Sequence, residues 1–264
     1  MRSPEIFYYQ KQYKSFRILK IMNFLQALIL GIIQGVTEWL PVSSSAQITI
    51  LGTVFRMSYQ EAFSFGIFLH LGTLSAVLFK FRDVKLYLNK FIIVATIFTG
   101  VIGVPLYIFI SYSGEFISII IGVSLIITGL ILRFSKNKFG TKGSDDGTLK
   151  DSSIVGFFQG FSILPGISRS GITVSSLLFR GFKQEEALKL SFLLSVPAVL
   201  GGIVLDMAKN SETLILQYKY ILVGILFAFL SGYLAMNFLL SVAKKISFDI
   251  FCVIFGVITL VMLW

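Results

Sequence analysis

Charge is scarce in this chain. Only 14% of its 264 residues are Asp, Glu, Lys or Arg, where soluble domains carry about 25%. With 55% hydrophobic residues and a mean hydropathy of +0.85, a water-soluble globular domain is excluded. Disorder is excluded as well, since it requires low hydrophobicity. Cysteine and histidine are nearly missing: Cys252 stands alone in an apolar run and His70 is the single histidine. One cysteine cannot make a disulfide scaffold, and one of each cannot make a zinc site of the His/Cys type. Acidic residues number 13 against 23 basic ones, a net charge of +10. In a soluble protein that excess points to nucleic acid. Here most basic residues fall in short loops between apolar runs, where topology and anionic headgroups account for them, so no nucleic-acid partner is expected. What remains is an all-α polytopic membrane protein.

A spanning helix needs about 20 mostly apolar residues. Six stretches qualify: 62–80, 91–111, 116–133, 186–205, 219–240 and 247–264. Two others, 24–55 and 152–181, are interrupted by polar, proline-containing segments, EWLPVSSSAQ (38–47) and LPGISRSG (164–171). Polar non-helical backbone is tolerated at membrane depth only where it is buried in protein or lines a wet cavity. Both therefore read as re-entrant pairs of half-helices, each half too short to cross; two full spans apiece is the competing assignment. Residues 1–21 mix aromatic and basic side chains without a long apolar core, which fits an interfacial segment and not a cleavable signal peptide. The rest, 22–264, forms one membrane domain, and the polar, glycine-containing linker 135–151 divides it.

The halves on either side of that linker resemble each other. GIIQGVTEWLPVSSSAQITI (31–50) matches GFFQGFSILPGISRSGITV (156–174) once one residue is skipped, pairing Gln34 with Gln159, Pro41 with Pro165 and Ser44 with Ser168. Repeat one covers 24–133 and repeat two 152–264, each a re-entrant pair plus three transmembrane helices. Three is odd, so the second copy is inverted relative to the first, and the broken helices of inverted repeats mark binding sites. Lys80 to Lys90, Arg133 to Lys138, Arg180, Lys183, Lys244 and Lys245 fall on one side, which is expected to be cytoplasmic. The basic N-terminal segment argues the other way. On this orientation the first hairpin enters from outside and the second from inside.

Chemistry concentrates at the two breaks. Glu38 lies four residues after Gln34, on the same helix face, and an ionisable group inside an apolar stretch is a functional-site hypothesis by default. Arg169 is flanked by Ser168, Ser170 and Gly171; its guanidinium matches phosphate bidentately, and a helix N-terminus adds N–H donors. Ser43, Ser44 and Ser45 offer hydroxyls beside a broken helix, Ser44 as nucleophile or metal ligand. Gln47 could orient a water or donate to a phosphate oxygen. His70 is either a hydrogen-bonded packing residue or a supporting member of the site. Asp206 and Asp249, at span ends, are expected to be solvated, and Pro105 and Pro197 to kink their helices. An acid, serines and an arginine at the midplane suit an anionic headgroup carrying a lipid tail. A lipid flippase or transporter is the second reading, because such repeats are shared with secondary transporters; phosphate release separates the two.

QGVTEWLPVSSSAQ (34–47) and PGISRSG (165–171), followed by SFLLSVP (191–197), resemble the undecaprenyl-diphosphate phosphatase family, also called bacitracin-resistance protein. The resemblance covers about residues 24–264 and implies an integral hydrolase of the cell membrane, removing the terminal phosphate of a polyprenyl diphosphate. The product, undecaprenyl phosphate, carries cell-wall glycans. The family's motifs fall on Gln34, Glu38, Ser43, Ser44 and Arg169. The resemblance also implies a divalent cation, Mg2+ or Ca2+, for which Glu38 is the candidate ligand. The family pattern carries a histidine where this chain has Gln47, and glutamine cannot serve as nucleophile or proton shuttle. The polyprenyl diphosphate and the membrane are the expected partners; a second copy of the chain, forming a homodimer, is left open.

Overall fold

The computed structural model describes residues 22–111, 140–164 and 166–242. The interfacial segment 1–21, the expected spans 116–133 and 247–264, Pro165, Asp249 and Cys252 lie outside the described residues. Within them the regular structure is helical: α1 (Phe24–Thr37), α2 (Ser44–Val54), α3 (Tyr59–Lys80), α4 (Lys90–Ser111), α5 (Leu149–Gly160), α6 (Arg169–Phe179) and α7 (Gln184–Val242). One isolated bridge joins Lys142 to Phe182. Among the described residues, four stretches are long and apolar enough to span a bilayer: Glu61–Lys80, Lys90–Phe109, Gln184–Met207 and Tyr218–Val242. Helix α4 leaves Ile97, Val101 and Phe109 more than half exposed, an outward face that suits lipid and not water. The chain is a multi-pass membrane protein.

Local chemistry explains where the helices start. Asn23 with Gln26, Ser58 with Glu61 and Thr148 with Asp151 form reciprocal capping boxes that satisfy orphan N–H groups. The four helices flanking the breaks have only 14, 11, 12 and 11 residues. At 1.5 Å per residue each reaches about 16–21 Å, short of the ~30 Å hydrocarbon core.

The two spans expected at 186–205 and 219–240 are joined in one helical run, since neither glycine nor proline interrupts residues 203–218. That run nevertheless doubles back. The Trp39 ring packs edge-on against Phe192 at 5.0 Å, and its indole N–H donates to the Gly232 carbonyl at 2.8 Å. A straight helix would separate those residues by about 60 Å. Asp206 is buried where solvation was expected, because it packs against α3, where the Ser64 hydroxyl donates to it at 3.4 Å.

The repeated GxxQG motifs have a packing role. A Cβ on Gly31 would lie 2.4 Å from the Gly224 carbonyl oxygen, and one on Gly35 would lie 2.5 Å from the Gly232 nitrogen. In the second copy, Gly156 would meet the Ala95 carbonyl oxygen at 2.2 Å and Gly160 the Ile102 side chain. Small residues allow this close approach of helices in lipid. So α1 of the first half packs on the distal limb of α7 in the second, while α5 of the second half packs on α4 in the first. Met22 and, at the far end of α2, Leu51 and Phe55 cluster with Ile203 and Ile221. Val155 and Phe182 cluster instead with Phe91, at the start of α4. The open ends of the two hairpins thus lie near opposite ends of α3.

At the second hairpin's open end Asp151 is buried and accepts from Lys142 Nζ at 2.9 Å, from the Thr148 N–H and hydroxyl, and from Arg180 Nε at 2.6 Å. Burial alone would raise its pKa, but these donors outweigh it and hold the carboxyl well below the usual carboxylate range. The stabilisation is therefore complete above the unfolded value of about 4 and is lost as pH falls through the depressed folded value. Replacing Asp151 with Asn is expected to cost about 2 kcal/mol. Thermal unfolding in detergent checks this: the variant melts several degrees lower at pH 7, and the difference shrinks in strong acid.

Candidate active site

Both breaks bring a helix start to one place. Helix α1 ends at Thr37, and Glu38 caps it, its N–H donating to the Gln34 carbonyl. The chain then passes Pro41 and reaches Ser43, which holds a left-handed φ of 55° before α2 begins. A non-glycine residue in that region costs of order 1–3 kcal/mol and marks sites where surroundings enforce geometry. In the second break a 3-10 turn, Phe161–Ile163, leads to Gly166 at φ 101°, and Ser168 caps α6 by accepting from the Gly171 N–H. The tips touch: Ser168 and Ser170 hydroxyls both donate to the Leu40 carbonyl, at 3.3 and 2.7 Å. A Cβ on Gly171 would stand 3.2 Å from Pro41, so a glycine there lets the tips meet.

The contact centres on the Glu38 carboxylate. Oε1 accepts from Arg169 Nη2 at 2.9 Å. Oε2 accepts from Gln34 Nε2 at 2.8 Å and from the Ser44 hydroxyl at 2.7 Å, and lies 3.2 Å from His70 Nε2. Arg169 reaches the Ser191 carbonyl with Nη1 at 3.0 Å, and its buried Nε is without a partner among the described residues. Residues 131 positions apart, Glu38 and Arg169, are thus one ion pair.

A cavity of about 270 Å3 opens on this pair. Its polar end presents Glu38, Ser43, Ser44, Ser45, Ser168 and Arg169, with His70 beside them. The N-termini of α2 and α6 both start here, and a helix start favours an anion. The rest of the wall is mostly apolar, running from Thr96 to Tyr107 on α4 and from Pro197 to Leu205 on α7, with Thr96, Thr99, Tyr107, Gln159 and Ser162 as its polar members. Cβ positions at Gly100, Gly201 and Gly202 meet nothing within 4 Å, so these glycines widen the cavity.

The remaining expected site residues do not line the cavity. Gln34 is fully buried and acts on the site through Glu38. Gln47 turns inward, donating to the Val42 carbonyl at 3.2 Å across its own hairpin, which satisfies its amide locally. Ser170 and Gly171 join the hairpin tips. Sequence reasoning missed Ser191 and the cavity glycines; SFLLSVP at 191–197 marked the former's position, and nothing in the sequence marked the latter.

A divalent cation held by the chain fits this donor set poorly. The four groups on Glu38 occupy the roughly four acceptor sites of a carboxylate. No group of three His, Cys, Asp or Glu side chains placed to hold a metal occurs among the described residues.

The profile of the family described as "Bacitracin resistance protein BacA" matches residues 27–261. An undecaprenyl-diphosphatase of Methanothrix thermoacetophila is 44% identical over 253 residues, covering 90% of this chain and 96% of that protein. An undecaprenyl-diphosphatase of Carboxydothermus hydrogenoformans is 42% identical over 238 residues, covering 85% and 90%. One of Saccharolobus solfataricus is 36% identical over 267 residues, covering 91% and 96%.

Proposed function

Because the chain belongs to the bacitracin resistance protein family, we propose that its cavity hydrolyses a polyprenyl diphosphate at the terminal phosphorus. The products are the polyprenyl monophosphate and inorganic phosphate. The reaction returns undecaprenyl phosphate, the carrier lipid of cell-wall glycan synthesis, and lowers the pool of diphosphate available to bacitracin. The observation that carries the reading is one carboxylate, Glu38, bonded at once to a guanidinium and to a serine hydroxyl at the mouth of an apolar cavity.

In this reading Arg169 and the N–H groups at the starts of α2 and α6 hold the terminal phosphate, where stabilisation of the equatorial oxygens does most of the work of phosphoryl transfer. Glu38 takes the proton of the attacking group, the Ser44 hydroxyl or a water in its place. Gln34 keeps Glu38 oriented. Any divalent cation required would find its ligands chiefly on the diphosphate.

The architecture proposed is an inverted repeat in the plasma membrane, with two re-entrant hairpins entering from opposite faces. Short half-helices, hairpin openings near opposite ends of α3, and the exchanged partners of α1 and α5 all support it. The side bearing Lys80, Lys142, Arg180 and Lys183 is the cytoplasmic one.

The direct test is phosphate release by the purified protein from long- and short-chain prenyl diphosphates, with and without chelator; a flippase would release none. The cavity glycines sharpen it. Gly201→Phe is expected to slow release from undecaprenyl diphosphate by about tenfold or more, and from farnesyl diphosphate much less, because the ring narrows the tail's path. Equal losses on both substrates would exclude this route for the tail.

A further inference from the structure

His70 makes contacts that the reading above leaves unused. Its Nδ1 lies 2.7 Å from the Gly66 carbonyl oxygen, one turn back on α3. A carbonyl only accepts, so Nδ1 carries a hydrogen. Its Nε2 lies 3.2 Å from Glu38 Oε2. Two bare acceptors do not face each other at that distance, so one more proton occupies the line between nitrogen and oxygen. Both arrangements that satisfy the contact, imidazolium with carboxylate or imidazole with carboxylic acid, hold that proton. Among the described residues the charged groups facing His70 are Glu38 and Arg169, and of those lining the cavity only Tyr107 adds another ionisable group. With Arg169 on the opposite carboxylate oxygen, the cluster carries one net positive charge toward an incoming anion.

We infer that His70 is the general acid of this site, its proton going to the oxygen that leaves with the prenyl chain. The inference rests on the proposed hydrolysis. As the nucleophile's oxygen bonds to the terminal phosphorus, its proton passes to Glu38 Oε2. The bond from that phosphorus to the bridging oxygen breaks, and the Nε2–H proton goes to that oxygen, now part of the departing prenyl monophosphate. The Glu38–His70 pair then holds one proton again. Where Ser44 is the attacking group, a water next attacks the phosphoserine phosphorus and its proton passes to the pair. The bond from phosphorus to the Ser44 oxygen breaks, and that oxygen takes a proton back from the pair as inorganic phosphate leaves. Among the described residues no other side chain lining the polar end can donate in this way: the serine and arginine protons are too tightly held near neutral pH. Gln47, a further polar residue of the hairpin, faces the Val42 carbonyl.

The experiment compares His70→Gln and His70→Ala in the purified full-length protein, using geranylgeranyl diphosphate in detergent micelles. A packing histidine and a proton donor predict different results, because glutamine can replace hydrogen bonds but not acid function. For His70→Gln, kcat is expected to fall about 10²–10³-fold. Binding of the non-hydrolysable methylene diphosphonate with the same prenyl chain stays within about threefold of wild type. Added imidazole restores turnover to His70→Ala by about tenfold or more and does nothing for His70→Gln. A wild-type kcat in His70→Gln overturns the inference. So does His70→Ala that binds the diphosphonate but ignores imidazole, and so does lost diphosphonate binding in both variants, which would make the residue architectural. Absence of phosphate release from the wild type is a different outcome and overturns the underlying reading instead.

Discussion

Glu38→Gln is expected to release phosphate from a prenyl diphosphate about 10³ times more slowly than wild type, with the loss in kcat. The amide is nearly isosteric and can still take the Ser44 hydroxyl bond, so the shape of the hairpin tip changes little. What disappears is the acceptor for the nucleophile's proton and the charge that balances Arg169. Removing one member of a buried ion pair also leaves the other uncompensated, a penalty of about 3–5 kcal/mol where the pair is fully desolvated. Arg169 keeps 11% of its side chain exposed and a second bond to the Ser191 carbonyl, so the penalty here is smaller. The measurement is single-turnover phosphate release beside a thermal melt in the same detergent. A variant that melts within a few degrees of wild type but turns over normally would remove Glu38 from the chemistry.

Arg169→Ala is the second large effect: a fall of about 10²–10³ in kcat/KM, the scale seen when one donor to a developing oxyanion is lost. Arg169→Lys separates charge from geometry. An ammonium restores a point charge but not the planar fork that spans the Glu38 oxygen, the Ser191 carbonyl and a phosphate oxygen together. The lysine variant should therefore recover only part of the loss, about tenfold. Full recovery would mean that Arg169 acts only as a counter-charge. Steady-state kinetics on a short-chain diphosphate, where tail binding contributes little, is the suitable measurement.

Much of this molecule is legible in its sequence because lipid imposes few solutions. Apolar runs at 62–80 and 91–111 end within three residues of α3 and α4. Polar, proline-bearing interruptions at 38–47 and 164–171 identify the two places where backbone leaves the helix. Glu38 and Arg169 stand out because a charge in an apolar setting demands a partner, and each is the other's. The placements that a linear reading does not give have one cause in common: they depend on where a side chain finds its hydrogen bond. Gln47 reads as a donor beside a serine run, and the fold turns its amide to the Val42 carbonyl. Asp206 reads as solvated at a span's end, and packing against α3 buries it beside Ser64. The cavity glycines carry no donor, acceptor or charge, so nothing in a linear reading distinguishes those that widen a cavity from those that let helices touch.

The exchange of partners between the halves bears on how the protein is made. As the chain emerges from the ribosome, α1 enters the bilayer almost two hundred residues before the surface that receives it, since Gly31 and Gly35 seat against Gly224 and Gly232. During that interval the first hairpin has helices too short to anchor themselves and a carboxylate whose counter-charge is not yet synthesised. Assembly of the catalytic centre is therefore among the last events of biogenesis, and an interrupted nascent chain should remain inert toward lipid diphosphates until the distal limb of α7 arrives.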